Sequence, residues 1–315
     1  MNKATKYQLQ IAVSAILLTI LMLTVVKMGW AQTPKNAYRI EKFDVAGNAR
    51  VEVSTSGGSI TVVGGNTREV TVEMYVKKDG SYYSSRKAGL KDWDINISQR
   101  GNTIYAKAKK EKNFSGWGKN NYSISFVVYT PKESITDLNT SGGSISLENL
   151  EGHQDAKTSG GSIEAEKIDG DISLKTSGGH ISLKDIEGKV YANTSGGSIS
   201  SENIKGDIEA RTSGGGINLD KIAGNVSART SGGSIYAEIK NPKDYIELKT
   251  SGGSIQITVP KDKGYDLELG GNNVNTRLQN FSGEYNKGEI EGTINGGGIK
   301  ITAKTSGGAV NMKYF

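Results

Sequence analysis

The residue types suited to nucleophilic, acid–base or metal chemistry are scarce in this chain of 315 residues. It has no cysteine and two histidines, His153 and His180. The two histidines fall at non-equivalent positions of different repeat units. No nucleophile elbow, phosphate loop or metal-spaced histidine cluster occurs. The Gly-Gly pairs of the Thr-Ser-Gly-Gly units are followed by Ser, His, Gly or Ala, and no GGxGxD calcium nonapeptide is completed. Lyases built on parallel β-helices use Asp, Lys and Arg on a coil face, but here acids and bases recur in every unit and no set stands apart. The sequence therefore predicts no enzyme, no cofactor and no metal, and His180, which replaces a repeated Ser, reads as an exposed turn residue.

Binding chemistry is better represented. Two segments, Lys77 to Lys91 and Ala108 to Asn121, interleave basic and aromatic residues, and from Lys77 to Lys119 eleven Lys/Arg face four Asp/Glu. Tyr82, Tyr83, Phe114 and Trp117 sit there on polar, glycine-containing stretches. Aromatic faces beside cations suit sugar rings or anionic polymer groups. Tyr82, Tyr83, Lys110 and Trp117 are the predicted contact residues. The alternative is that these aromatics fold back as a hydrophobic cover and the lysines solvate it.

The elements that must position them follow from a repeat. Thr-Ser-Gly-Gly begins at Thr140, Thr158, Thr176, Thr194, Thr212 and Thr230, always 18 residues apart, and again at Thr250 after a two-residue insertion. Such an array is one structural unit stacked on itself. The sixth position is always Ile (Ile145, Ile163, Ile181, Ile199, Ile217, Ile235, Ile255) and the eighth is mostly Leu or Ala, the period-two signature of a half-buried strand. A second short strand follows the Gly of the thirteenth position, as in Asp171 to Lys175. The Gly-Gly pair marks a reversal, ascribed to the freedom of glycine at positive φ, and the glycine content excludes helix.

Stacking these units in parallel puts like on like at ~4.8 Å. The expected fold is therefore all-β: a parallel β-solenoid of two-strand coils of about 18 residues, capped by an irregular N-terminal β region. An antiparallel meander is the alternative. It would need two kinds of alternating hairpin turn, whereas one turn here is Ser-Gly-Gly and the other a variable residue before Gly. Outward positions carry charge: the ninth reads Glu148, Glu166, Lys184, Glu202, Asp220, Glu238, and the eighteenth Lys157, Lys175, Asn193, Arg211, Arg229. These rows read as a solvated face that resists edge pairing, or as a charged binding face. No Thr-x-Thr row supports ice binding.

At the start, Lys3 and Lys6 precede an apolar run from Ile11 to Val26, then Gly29 and Ala31 at the positions a signal peptidase reads. This predicts export with cleavage before Gln32, or an uncleaved single-pass anchor touching the membrane through residues 9–30. In either case the repeats lie outside the cytoplasm, in the periplasm, cell envelope or surface. The net charge of +6 includes Lys3, Lys6 and Lys27; the mature chain carries about half of it, which makes no nucleic-acid case. The expected divisions are 1–31 signal or anchor, 32–130 cap and first coils, 131–259 regular solenoid and 260–315 irregular closing coils.

The TSGGSI units, the early Val51 to Val63 segment, the strand Tyr122 to Pro131 and the closing Gly292 to Met312 stretch resemble the bacterial putative-adhesin β-strand-repeat family, a domain of unknown function that includes LiaG-like envelope proteins. The resemblance spans roughly Phe43 to Phe315. It implies an exported bacterial solenoid with no catalytic residues to carry over. The partner expected from the basic, aromatic segments or the coil face is an envelope or extracellular glycan or protein. The rival expectation is an envelope scaffold, structural or stress-responsive, without a ligand of its own.

Overall fold

Apolar residues at alternate positions, many of them the β-branched Ile or Val, broken by paired glycines, leave the backbone little choice but short strands and tight corners. The computed structural model describes residues 37–79, 81–83, 90–110 and 122–315, and these contain strands and turns without a helix. The segment read above as a signal or anchor lies outside the described residues. Among the described residues no helix is long and apolar enough to cross a membrane.

Each repeat contributes to two ladders. One passes through Ile145–Glu151, Ile163–Asp169, Ile181–Glu187 and Ile199–Lys205. The other passes through Gln154–Thr158, Ile172–Lys175, Val190–Asn193 and Ile208–Arg211. Pairing is parallel and in the repeat register: Ile145 faces Ile163, Ile163 faces Ile181, Ile181 faces Ile199, and on the second ladder Ile172 faces Val190 and Val190 faces Ile208. The chain is thus all-β and solenoid-like. Its core is the stack of inward Ile, Leu, Val and Ala side chains between the ladders, each fully buried Ile or Leu stabilising the stack by roughly 1.5–3 kcal/mol.

The Thr-Ser-Gly-Gly corner is held by a repeated pair of hydrogen bonds. The buried Thr194 hydroxyl donates to the Gly179 carbonyl of the preceding coil at 2.9 Å and accepts from the Gly197 amide at 3.3 Å. The same pair recurs at Thr140, Thr158, Thr176, Thr212, Thr230, Thr250 and Thr305. The glycines of these corners are not at positive φ, which corrects the reason expected for them. The second glycine is required because a Cβ on Gly197 would sit inside the Gly179 carbonyl oxygen, and the same holds one coil on at Gly215 and one back at Gly179. Positive φ belongs to the other corner, at Gly170, Gly188 and Gly206 with φ of 143–147°.

A bend that the sequence reading lacked occurs at the tenth position of the unit. Asn149, Lys167, Asp185, Asn203 and Lys221 all adopt φ of 55–58°, a left-handed conformation that Asn and Asp tolerate better than most residues. The bend restores the inward aim of the next residue. Leu147 and Leu150, three apart, are both buried, where strict alternation would turn one of them outward.

At both ends the coil order departs from chain order. Ala49–Thr55 and Ile60–Gly65 form a coil whose first strand lies between Thr103–Lys110 and Ser134–Thr140, and whose second lies between Tyr122–Pro131 and Ile145–Glu151. The chain's last coil, Ile299–Thr305 and Ala309–Tyr314, is likewise inserted. It packs between Ile235–Thr250 with Ile255–Val259 on one side and Tyr265–Gly270 with Asn273–Asn275 on the other. Antiparallel strands finish each edge: Arg39–Asp44 and Trp93–Arg100 at one end, Glu289–Ile294 and Phe281–Tyr285 at the other.

Candidate functional site: a lysine–tyrosine patch at one end of the stack

The strand Glu69–Lys78 alternates through its length, with Val70, Val72, Met74 and Val76 inward and Glu69, Thr71, Glu73, Tyr75 and Lys77 outward. It then reverses through Asp79, at φ 50°, followed in sequence by a glycine, the Asp-Gly signal of a tight hairpin. The returning pair Ser81–Tyr82 sets Tyr82 opposite Lys77 and Ser81 opposite Lys78, and the Tyr83 amide donates to the Val76 carbonyl at 2.8 Å.

This hairpin builds two cation–aromatic groups on opposite faces. On the outer face the Lys77 ammonium stands 4.5 Å from the centroid of Tyr82, whose ring meets Tyr75 edge-on at 6.1 Å. Tyr75 points outward yet is 3% exposed, because Tyr82 covers it. Its hydroxyl donates to Glu73 at 2.6 Å. Burial, and then the Glu73 carboxylate, push the Tyr75 phenol well above the ordinary range, so it remains a donor. Burial first and Glu73 second raise Tyr129 as well. On the other face Lys78 lies 5.4 Å from the Tyr122 ring, and Tyr83 meets Tyr122 edge-on at 6.4 Å.

Two of the predicted residues are thereby brought to one hairpin with accessible rings: Tyr82 is 46% and Tyr83 37% exposed. They point to opposite faces and do not form one platform. Lys110 is not joined to them. It stands across from Trp93 on the other ladder, its amide bound to the Ser56 hydroxyl at the first Thr-Ser-Gly-Gly corner. Trp117 and Phe114 lie outside the described residues. Sequence reasoning missed Tyr75, Tyr122 and Glu73, although the string YVKKDGSYY carries the hairpin signal that sets Lys77 against Tyr82.

Elsewhere part of the outward charge is paired within the chain. Glu166 is bridged by Lys184, Glu202 by Lys221, Glu209 by Arg211 and Glu247 by Arg229. His180 takes over the role of the corner serine: its amide donates to the Ser162 hydroxyl and its Nδ1 accepts from the Ser198 amide at 3.0 Å. Among the described residues no three His, Cys, Asp or Glu side chains converge as metal ligands would.

A stack of repeat coils with a polar surface and an aromatic, basic end defines an all-β repeat protein of the solenoid-like kind. Residues 48–313 match the Toastrack DUF4097 family, and the chain belongs to it. Among solved structures it is similar to a putative adhesin from Parabacteroides distasonis ATCC 8503, at 14% identity and a TM-score of 0.46 over 89% of this chain and 98% of that one. It is similar also to a putative adhesin from Bacteroides fragilis NCTC 9343, at 13% identity and 0.43 over 91% and 100%. A putative lipid binding protein from Parabacteroides distasonis ATCC 8503 follows at 13% identity and 0.38 over 88% and 97%. No curated protein matches the chain.

Proposed function

We propose that this chain is an exported, non-catalytic, adhesin-like binding protein of the cell envelope or surface. Its frame is a parallel β-solenoid of two-strand coils closed by an irregular N-terminal cap. Its ligand is a glycan or another envelope polymer. The observation that carries the reading is the hairpin of Lys77, Tyr82 and Tyr83, where the exposed Tyr82 ring stands beside the Lys77 ammonium and the Tyr83 ring is accessible on the other face, surfaces that sugar faces and anionic polymers use. The rival scaffold reading is favoured by the ion pairs along the body of the stack, which engage part of its outward charge within the chain.

A glycan and envelope-polymer array separates the two. Wild-type protein is expected to retain a polymer that the Tyr82→Ala, Tyr83→Ala variant releases. Binding that survives the double change moves the site to the coil face, and no binding to any polymer leaves the scaffold. The export reading rests on Lys3, Lys6 and the Ile11 to Val26 run. N-terminal sequencing of the mature protein is expected to start at Gln32, whereas an intact Met1 on a membrane-bound chain would make the segment an anchor.

A further inference from the structure

At the end of the stack opposite the tyrosines is a recess of about 550 Å³, within the range of about 300–1,000 Å³ typical of small-molecule sites. Its floor is the partly exposed ring of Tyr314, backed by Ile294 and Met312 of the buried core. Its rim is basic, carrying Lys261, Arg277 and Lys313 beside the neutral Gln279 and Asn295, and among the described residues no Asp or Glu lines it. On the body of the stack some cations, such as Arg211, Arg229 and Lys221, are tied to a carboxylate, while others stand singly; what sets the recess apart is that three cations converge on one cavity. None of the three rim cations forms an ion pair among the described residues. Next to the recess the hydroxyls of Thr276 and Tyr314 are shut from solvent without a hydrogen bond of good geometry, although they lie close enough for Thr276 to oppose the rise that burial gives the Tyr314 phenol.

Three uncompensated cations around an aromatic floor are complementary to one kind of molecule. We propose that this recess binds a small amphiphilic anion, a carboxylate or phosphate headgroup on an apolar tail. The tail would lie over the Tyr314 ring, which Ile294 and Met312 back from the core, and the headgroup would meet Arg277 and Lys313. The chain's own residues 1–36 are unsuited to this rim, since they carry Lys3, Lys6, Lys27 and Lys35 and no acid. The site is independent of the lysine–tyrosine hairpin, so neither reading falls with the other.

Calorimetric titration of the full chain tests it, with dodecanoate and dodecyl phosphate kept below their micelle concentrations. At least one of them is expected to bind one to one, and which of them binds separates a carboxylate source from a phosphate source. Inorganic phosphate alone is expected to bind at least about a hundredfold more weakly, for want of the apolar contact. The Arg277→Gln, Lys313→Gln variant changes two exposed side chains and is expected to melt like the wild type while losing about tenfold or more in affinity. Dodecyl maltoside binding as tightly as the anions would overturn the proposal. So would undiminished binding in the double variant, phosphate matching the amphiphiles, or no binding of either anion.

Discussion

Two adjacent glycines of one corner do different work. Gly196 leaves room for a Cβ, with its nearest neighbours the Gly178 and Ser177 carbonyl oxygens at 3.5 Å, an ordinary contact. Gly197 has none, because its coil approaches the Gly179 carbonyl too closely. Gly197→Ala is therefore expected to destabilise the protein by about 1–3 kcal/mol or more, as overpacking of a tight interior does. Gly196→Ala is expected to stay within about 0.5 kcal/mol of wild type, as surface changes usually do. Urea denaturation of both variants checks the pair, and equal midpoints would refute the close-approach account. Spacing alone could not separate these roles: a Gly-Gly pair advertises a turn, and whether glycine is needed for φ or for clearance depends on how near the next coil lies.

At the scale of the strand the sequence was most legible where one side chain type repeats. Ile at the sixth position of every unit gave the ladder register directly, because only parallel stacking sets Ile163 between Ile145 and Ile181. The tenth-position bend was less visible, since Asn149, Lys167 and Asp185 share a backbone conformation and little chemistry. The outward rows also read differently in the structure. Stacked like charges at Arg211, Arg229 and Lys249 are relieved by the adjacent row of Glu209 and Glu247. Partial burial alone would raise the Glu247 carboxyl, but hydrogen bonds and charge from Lys249 and Arg229 outweigh it and hold the group down to about 2, against an ordinary 4.5. A folded-state value below the unfolded one adds stability that is fully present above about 4.5 and lost as pH falls toward about 2. With both cationic partners roughly half exposed, its size is about 1 kcal/mol. Chemical denaturation of wild type and Glu247→Gln is expected to show that gap at pH 6 and its closure by pH 2. A gap that widens on acidification would mean that Glu247 is not held ionised by these partners.

The molecule as a whole is less legible than its strands, because its closing features join residues far apart in the chain. Nothing in the local pattern of Val51 to Val63 says that this first coil will have another coil outside it, and the recess of Lys261, Arg277 and Lys313 assembles from three separate segments. The coil order has a consequence for fraying. In a stack where each unit touches only its neighbours, opening proceeds inward from the ends. Here the outer coils are not the chain's first and last. Ile60–Gly65 is flanked by Tyr122–Pro131 and Ile145–Glu151, and Ala309–Tyr314 by Ile255–Val259 and Asn273–Asn275. Each terminal coil is therefore hydrogen-bonded on both sides and can open only after its outer neighbour has opened. Native-state hydrogen exchange is expected to find the amides of Ile60–Gly65 at least as protected as those of Tyr122–Pro131, and those of Ile299–Thr305 at least as protected as those of Tyr265–Gly270. The antiparallel edges Arg39–Asp44 and Phe281–Tyr285 are expected to exchange first. If Ile60–Gly65 exchanged before Tyr122–Pro131, the stack would be opening in chain order, and the inserted coils would not be what secures its two ends.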